Sequence, residues 1–346
     1  MPTKPLSDKA AVDSWNAFLD VGTKVGAAAS LNLPVQTLNH RINIYKQRFG
    51  DKIPLKPEFT IADIPDDDIN VEELVEHRIK QFSKKKEHQE ATKLIPVKVH
   101  LDGVIGILHF GDPHVDDDGT DLEAIRRHGD LTHQEGIWGA NVGDTTNNWV
   151  GRLARLYANQ STSADQAWKL AEWFITRTRW LYMIGGNHDA WSGSSDPIKW
   201  ISRQSKTLYQ SSECRIALRF PNKREVIVNA RHDFAGHSQW NPAHGQMKAA
   251  QMGQRDHIMI SGHKHTSGYG IVKDPSTGKV CHAIQVASYK LFDTYAKERG
   301  FRDQSLSPAC MTVIDPALAA DHPDMVKVFW TPEEGAEFVK WKRKRK

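Results

Sequence analysis

Cysteine is scarce: three stand far apart in 346 residues, at positions 214, 281 and 310. An odd and scattered set argues against both a disulfide framework and a thiolate zinc site. No run of about 20 apolar residues occurs, so no bilayer-spanning helix and no membrane partner are expected. The opening residues MPTKPLSDKA lack the basic-then-apolar pattern of a secretory signal, so a soluble, cytoplasmic protein is expected. Internal repeats are absent as well. Apolar residues are not lacking. At 39% hydrophobic and 25% charged the chain has enough core material to exclude a wholly disordered protein. Its length predicts two or three domains at about 150 residues each.

Net charge of one sign is also scarce outside one place. The formal charge is +4, but the last seven residues, KWKRKRK, hold six basic groups. Setting those six aside from 46 Lys and Arg leaves 40, against 42 Asp and Glu. The basicity belongs to the terminal helix and tail, 332–346, either as a contact for a polyanion such as nucleic acid or as a solvated end.

Residues 1–50 read as a small all-α module of three helices. The first, about Asp8–Val21, places Ala11, Val12, Trp15, Phe18 and Leu19 at helical spacing. A second begins near Thr23 and ends at Leu31-Asn32-Leu33-Pro34; a third starts at Pro34 and continues through Tyr45. The spacing resembles a DNA-binding helix-turn-helix. Ala28 falls where the helices cross, Asn32 where the turn needs a left-handed backbone, and Leu33, Leu38 and Ile42 on the inner face. That leaves Gln36, Thr37, Asn39, His40 and Arg41 near the front of the third helix, side chains suited to base edges or phosphates. A helical bundle for protein contacts has the same pattern.

Residues 51–93 form a linker. Its first part is rich in proline and acid, and 71–92 is a charged helix with acids early and lysines late. Its thin apolar stripe, Val71, Leu74, Ile79 and Phe82, suits a solvated spacer or a helix packed along one edge. From residue 94 to 331, strand-like runs alternate with helical ones, the pattern of a layered α/β domain. Leu94–Leu101 and Val104–Phe110 flank Asp102-Gly103, a two-residue hairpin signal.

Many of the 17 histidines fall in short motifs within this domain. In order these are Gly111-Asp112-Pro113-His114, Gly143-Asp144-Thr145-Thr146-Asn147, Gly186-Asn187-His188-Asp189, His232, and Gly262-His263-Lys264-His265. Any one alone is more simply a turn or a structural histidine. Four of the five directly follow a strand-like segment, where α/β sheets gather their functional loops.

Taken together, these motifs resemble the calcineurin-like metallophosphoesterase superfamily over roughly residues 100–290. The resemblance implies a four-layer α/β/β/α sandwich and a binuclear centre. Asp144 would bridge two divalent ions about 3.5–4 Å apart. Asp112, His114 and His265 would complete one site, and Asn187, His232 and His263 the other. Phosphodiester hydrolysis would proceed by attack of a hydroxide shared by the ions, with His188 protonating the leaving oxygen and Asp189 orienting the His188 ring and raising its pKa. Imidazole and carboxylate ligands without thiolate suit Mn²⁺, which we favour, or Fe or Zn²⁺.

The stretch TTNNWVGR lacks the Asp-Arg-Gly of protein phosphatases, and Asp189 stands where those enzymes usually have Glu. Both features turn the expectation towards nucleases and phosphodiesterases. Asn147 is placed to contact phosphate or to support a ligand. His237 competes with His232 for the ligand role, but His232 directly follows a strand-like run; His237 and His244 are expected towards the substrate. Trp149, Trp191 and Trp240 lie just past motif residues and suit either base stacking or loop packing.

The first expectation is therefore a nuclease or phosphodiesterase acting on nucleic acid, with DNA favoured. The layout resembles phage and prophage members, which would place it in a host cytoplasm. A small-molecule phosphatase or cyclic-nucleotide phosphodiesterase is the alternative. A DNA-binding protein with a purely structural metal site is the third, and the His188-Asp189 pair speaks against it.

Overall fold

A computed structural model describes residues 6–52, 67–148, 157, 160–190, 197–292 and 305–345. The chain forms two compact units, Met1–Val75 and Glu76–Lys346. The expected Trp149 and Trp191 contacts, and most of the acidic linker, lie outside the described residues.

The first unit contains α1 (Asp8–Val21), α2 (Lys24–Ser30) and α3 (Val35–Phe49). The Ser7 and Thr23 hydroxyls cap α1 and α2, accepting from the amides of Ala10 and Gly26. Ala11, Trp15, Ala27, Ala28, Leu38, Ile42 and Tyr45 form the core. Asn32 takes the left-handed backbone that the α2–α3 turn requires, at φ 53°. Leu33 is only half-buried, and Pro34 is the extended cap of α3 instead of its first helical residue. The helix runs a turn past Tyr45, where Arg48 reaches back to the Leu6 carbonyl and, at 2.6 Å, to Asp8. Further along, α4 (Val71–Thr92) carries no buried residue.

The second unit continues with β1 (Ile95–Lys98), β2 (Ile105–Phe110), α5 (Leu122–Leu131), β3 (Ile137–Asn141), α6 (Ala164–Arg177), β4 (Trp180–Ile184), α7 (Asn187–Ala190) and α8 (Pro197–Gln204). Then come β5 (Tyr209–Gln210), β6 (Glu213–Arg219), β7 (Glu225–Arg231), α9 (His244–Met252), β8 (Ile258–Ser261), β9 (Gly268–Lys273) and β10 (Val280–Gln285). The described part closes with β11 (Ala309–Ile314), β12 (Val326–Phe329) and α10 (Pro332–Arg343). The unit is mixed α/β, with two six-stranded mixed sheets ordered β1-β6-β7-β8-β10-β9 and β12-β11-β2-β3-β4-β5.

The expected hairpin at Asp102-Gly103 does not form. Gly103 does turn the chain with φ 81°, but β1 pairs in parallel with β6 while β2 joins the other sheet beside β3 and β11. Burial explains the divergence. β1 alternates between half-buried and exposed, as an edge strand does, whereas every residue of β2 is buried and needs cover on both faces. Ile105 and Ile107 face the opposite sheet, where they join Ile216, Val228, Ile258 and Ile284. Leu108 and Phe110 face the helices, meeting Ile125 of α5 and Phe174 of α6. On the outer side of the other sheet, Met259 and Cys281 pack with Phe234 and with Ala249 and Ala250 of α9. Each fully buried side chain of this size contributes about 1.5–3 kcal/mol.

The basic C-terminal segment is not a loose end. Ala336 and Val339 of α10 are buried, Lys342 pairs with Asp315 at 3.0 Å, and Arg343 donates to the carbonyls of Asp102 and Val104 and pairs with Glu135. Among the described residues, no helix is long and apolar enough to cross a membrane.

Candidate metal centre

Strands β2, β3 and β4 run parallel, as do β7 and β8, so the loops leaving their carboxyl ends share one edge of the unit. Those loops carry the five motifs. The motif glycines supply room. A Cβ on Gly186 would strike Asp144, one on Gly262 would strike Asp112, and one on Gly143, itself at φ 118°, would strike the His232 ring. Four of the acidic and imidazole residues also take the left-handed backbone that side-chain-bearing residues avoid: His114, Asp144, His263 and His265 have φ of 40°, 48°, 71° and 52°. Such conformations cost on the order of 1 kcal/mol each and concentrate at functional sites.

Two groups of donors result, and both contain Asp144. One is Asp144 with His232 and His263; the other is Asp144 with His114 and His188. In the first, His232 Nε2 lies 2.9 Å from Asn187 Oδ1, 3.1 Å from His263 Nδ1 and 3.2 Å from Asp144 Oδ2. Donors bound 2.0–2.2 Å from one ion stand about 3 Å apart, so this spacing fits a common cation. The Val142 carbonyl, 2.9 Å from His232 Nδ1, fixes the ring with that nitrogen as donor and turns Nε2 towards the other ligands. On the other side, His114 Nε2 and His265 Nε2 face each other at 3.2 Å, and His265 Nε2 stands 3.4 Å from Asp112 Oδ2. Asp112 Oδ1 and His114 Nδ1 are buried without a hydrogen-bond partner among the described residues. The orphaned Asp112 oxygen suits a cation, and the three cysteines are buried elsewhere as free thiols.

Burial pushes Asp112 well above the ordinary carboxylate range, with the Asp144 charge adding to the shift and His232 opposing it. Asp144 is equally buried, yet the imidazoles of His232, His188 and His114 hold it below that range. Burial opposes a charge on His232 too, but Asp144 and Asp112 together lift its ring to about 10. His114 goes the other way: burial first, then His188 and His265, keep it well below 6.5.

His188 is half-buried, and its Nε2 lies 3.8 Å from Asp144 Oδ2, which brings it beside His114 and Asp144 at the edge of their donor group. The acceptor on its Nδ1 is the Asn147 carbonyl at 2.9 Å, where the sequence suggested Asp189. Asp189 instead accepts from the backbone amides of Thr145, Thr146 and Gly186, tying the second motif to the third. Burial and the neighbouring Asp144 raise it to about 7. Asn147 is buried, its amide held by Asp117, so it supports the loop from within. His232 enters the donor cluster; His237 is exposed on the following loop, and Trp240 is 93% exposed.

Several contributors escaped the sequence reading. Asp116 and Asp117 accept from the Asn147 backbone and side chain, and Lys290 pairs with Asp117 at 3.0 Å. Gln285 donates to the Gly262 carbonyl, and Ser288 donates to that of Asp112. The acidic run directly behind His114 was the available signal for the first two; Lys290, Gln285 and Ser288 carry no local signature.

In the N-terminal unit, Gln36 and His40 are exposed at the front of α3, and Thr37, Asn39 and Arg41 are half-buried there. The Asn39 side-chain oxygen is buried without a partner among the described residues, which makes Asn39 the least outward of the five. No protein-family model and no curated protein matches this chain.

Proposed function

We propose that the chain is a binuclear metallophosphoesterase of the calcineurin-like superfamily, with a four-layer α/β/β/α sandwich, that hydrolyses phosphodiester bonds in nucleic acid, DNA above all. The observation that carries this reading is Asp144, one carboxylate common to two donor groups at the strand ends. Asp112, His114 and His265 would hold one ion with Asp144; Asn187, His232 and His263 would hold the other. Mn²⁺ is the favoured metal, with Fe or Zn²⁺ accommodated by the same donors. Two divalent cations, when bound, neutralise the phosphoryl oxygens and lower the pKa of water for in-line attack.

The chain's own residues do the rest. Asn187 and the imidazoles would be neutral ligands, so a site holding two divalent ions would keep a net positive charge and draw in a phosphate. A carbonyl can only accept, so the Asn147 bond makes His188 Nδ1 an N–H donor. The acid form is then the imidazolium, whose Nε2 proton would pass to the leaving oxygen and leave the neutral Nδ1–H tautomer behind. The N-terminal unit supports the nucleic-acid reading through Gln36, Thr37, His40 and Arg41 on α3, arranged as in a helix-turn-helix.

One observation favours a second reading, a small phosphodiester substrate. Lys342 and Arg343, the inner cations of the basic tail, are already committed to Asp315 and Glu135. Incubating the Mn²⁺-loaded protein with labelled single- and double-stranded DNA, RNA and a chromogenic diester separates the two. Cleavage of a polynucleotide that falls steeply as salt rises supports the first. Turnover of the small diester alone, with little salt response, selects the second, and no turnover of any ester defeats both.

A further inference from the structure

Lys290 is a largely covered cation that no ligand role uses. It follows β10, and its side chain is 11% exposed against an Asp117 side chain at 3%. A buried ion pair is weak evidence for stability, because desolvating both charges costs about what their attraction returns. What it does provide is a fixed position. Asp117 Oδ2 takes the Lys290 ammonium at 3.0 Å and the Asn147 side-chain N–H at 2.9 Å, while Oδ1 takes the Gly119 amide at 2.8 Å. Asp116 holds the Asn147 backbone N–H at 2.6 Å. With its amide and side chain both gripped, Asn147 has its carbonyl left to aim, and that carbonyl receives His188 Nδ1 at 2.9 Å. The neighbouring Asn148 side chain donates to the His188 carbonyl at 3.0 Å, so ring and backbone of residue 188 are addressed by the same loop.

From this continuous path we infer that Lys290 and Asp117 are positioning residues for His188, fixing its tautomer and the direction of Nε2 through Asn147. The inference rests on the acid role proposed above for His188. Three loops are thereby joined: the one after β2 supplies Asp116 and Asp117, the one after β3 supplies Asn147, and the one after β4 carries His188. Lys290 joins this set from a fourth segment, through Asp117.

The test compares two esters and one spectroscopic signature. Lys290→Met and Asp117→Asn are assayed on a dinucleotide, whose sugar leaving group needs a proton, and on bis(4-nitrophenyl) phosphate, whose phenolate does not. Both variants should lose about 10- to 100-fold in kcat on the dinucleotide. KM, the two-Mn²⁺ stoichiometry and turnover of the aryl ester should stay within about twofold, and Lys290→Arg should recover most of the loss. Asp117→Asn keeps the side-chain shape, which guards against a Lys290→Met chain that does not fold. In long-range ¹H–¹⁵N spectra, with the ring assigned by comparison with His188→Gln, the wild-type chain should hold the Nδ1–H form and both variants should show averaged tautomers. Equal losses on both esters, or full activity on both, would overturn the positioning role, as would an unchanged tautomer in both variants. If the wild type cleaves neither ester while the tautomer still responds, the phosphodiesterase reading falls and the positioning network stands.

Discussion

His232 and His114 are buried imidazoles in the two groups that share Asp144, and the fold treats them in opposite ways. His232 has a carbonyl behind it and Asp144 and Asp112 in front, and its affinity for a proton rises to about 10. His114 has no hydrogen-bond partner on Nδ1 among the described residues and faces His265, and burial with its imidazole neighbours drives its pKa well below 6.5. Three further buried histidines, His109, His257 and His282, follow His114, at about 3, 4 and 4. Burial alone therefore makes a histidine neutral, and only paired carboxylates reverse that. Where they do, the protein has prepared a place for positive charge, which a proton can fill and for which a divalent ion would compete.

The contrast is broken most severely at its pivot. Asp144→Asn removes the charge common to both groups, and bound Mn²⁺ should fall from two ions per chain towards none, with activity lost; retention of two ions would refute the shared role. His188→Ala should cost about 10²–10⁴-fold in kcat while both ions stay. Metal loss in that variant would make His188 a ligand. His232→Ala and His114→Ala should each remove one ion, leaving a chain with one Mn²⁺ by elemental analysis. His237→Ala should keep both, and the reverse result for residues 232 and 237 would exchange their roles.

A smaller effect reads the neutral histidines. His257 Nδ1 accepts the Ile227 amide at 3.0 Å and His109 is shut in the core, so neither takes up a proton readily in the folded state. Below pH 6.5 the unfolded chain binds protons that the folded chain refuses. The share of stability owed to these histidines is thus complete above pH 6.5 and drains away as pH falls towards 4, by about 2–4 kcal/mol between pH 6.5 and 5. Asp189, raised to about 7, takes up its proton in the folded state and works the other way. Urea midpoints of the wild type and His257→Asn at those two pH values isolate the histidine: the wild type should lose more than the variant on acidification, and equal losses would contradict the sign.

Much of this was legible in the residues. The five motifs named the donors because glycine, carboxylate and imidazole at strand ends are local patterns. Helix α1 declared itself through apolar spacing, and the α2–α3 turn through Leu31-Asn32-Leu33-Pro34. Partnership was not local. β1 and β2 look like a hairpin in sequence, and only the need to cover both faces of β2 sends them to different sheets. Asp189 stands next to His188 in the chain, yet backbone amides claim it, and the His188 partner comes from residue 147. The tail looked free because Asp102, Val104, Glu135 and Asp315, which hold it, are remote in sequence.

The left-handed φ angles of His114, Asp144, His263 and His265 carry one more consequence. These are positions where glycine or asparagine would sit with less strain. A library screened for heat resistance alone, with no demand on turnover, should therefore collect its gains at these four codons first and surrender the chemistry in the same step.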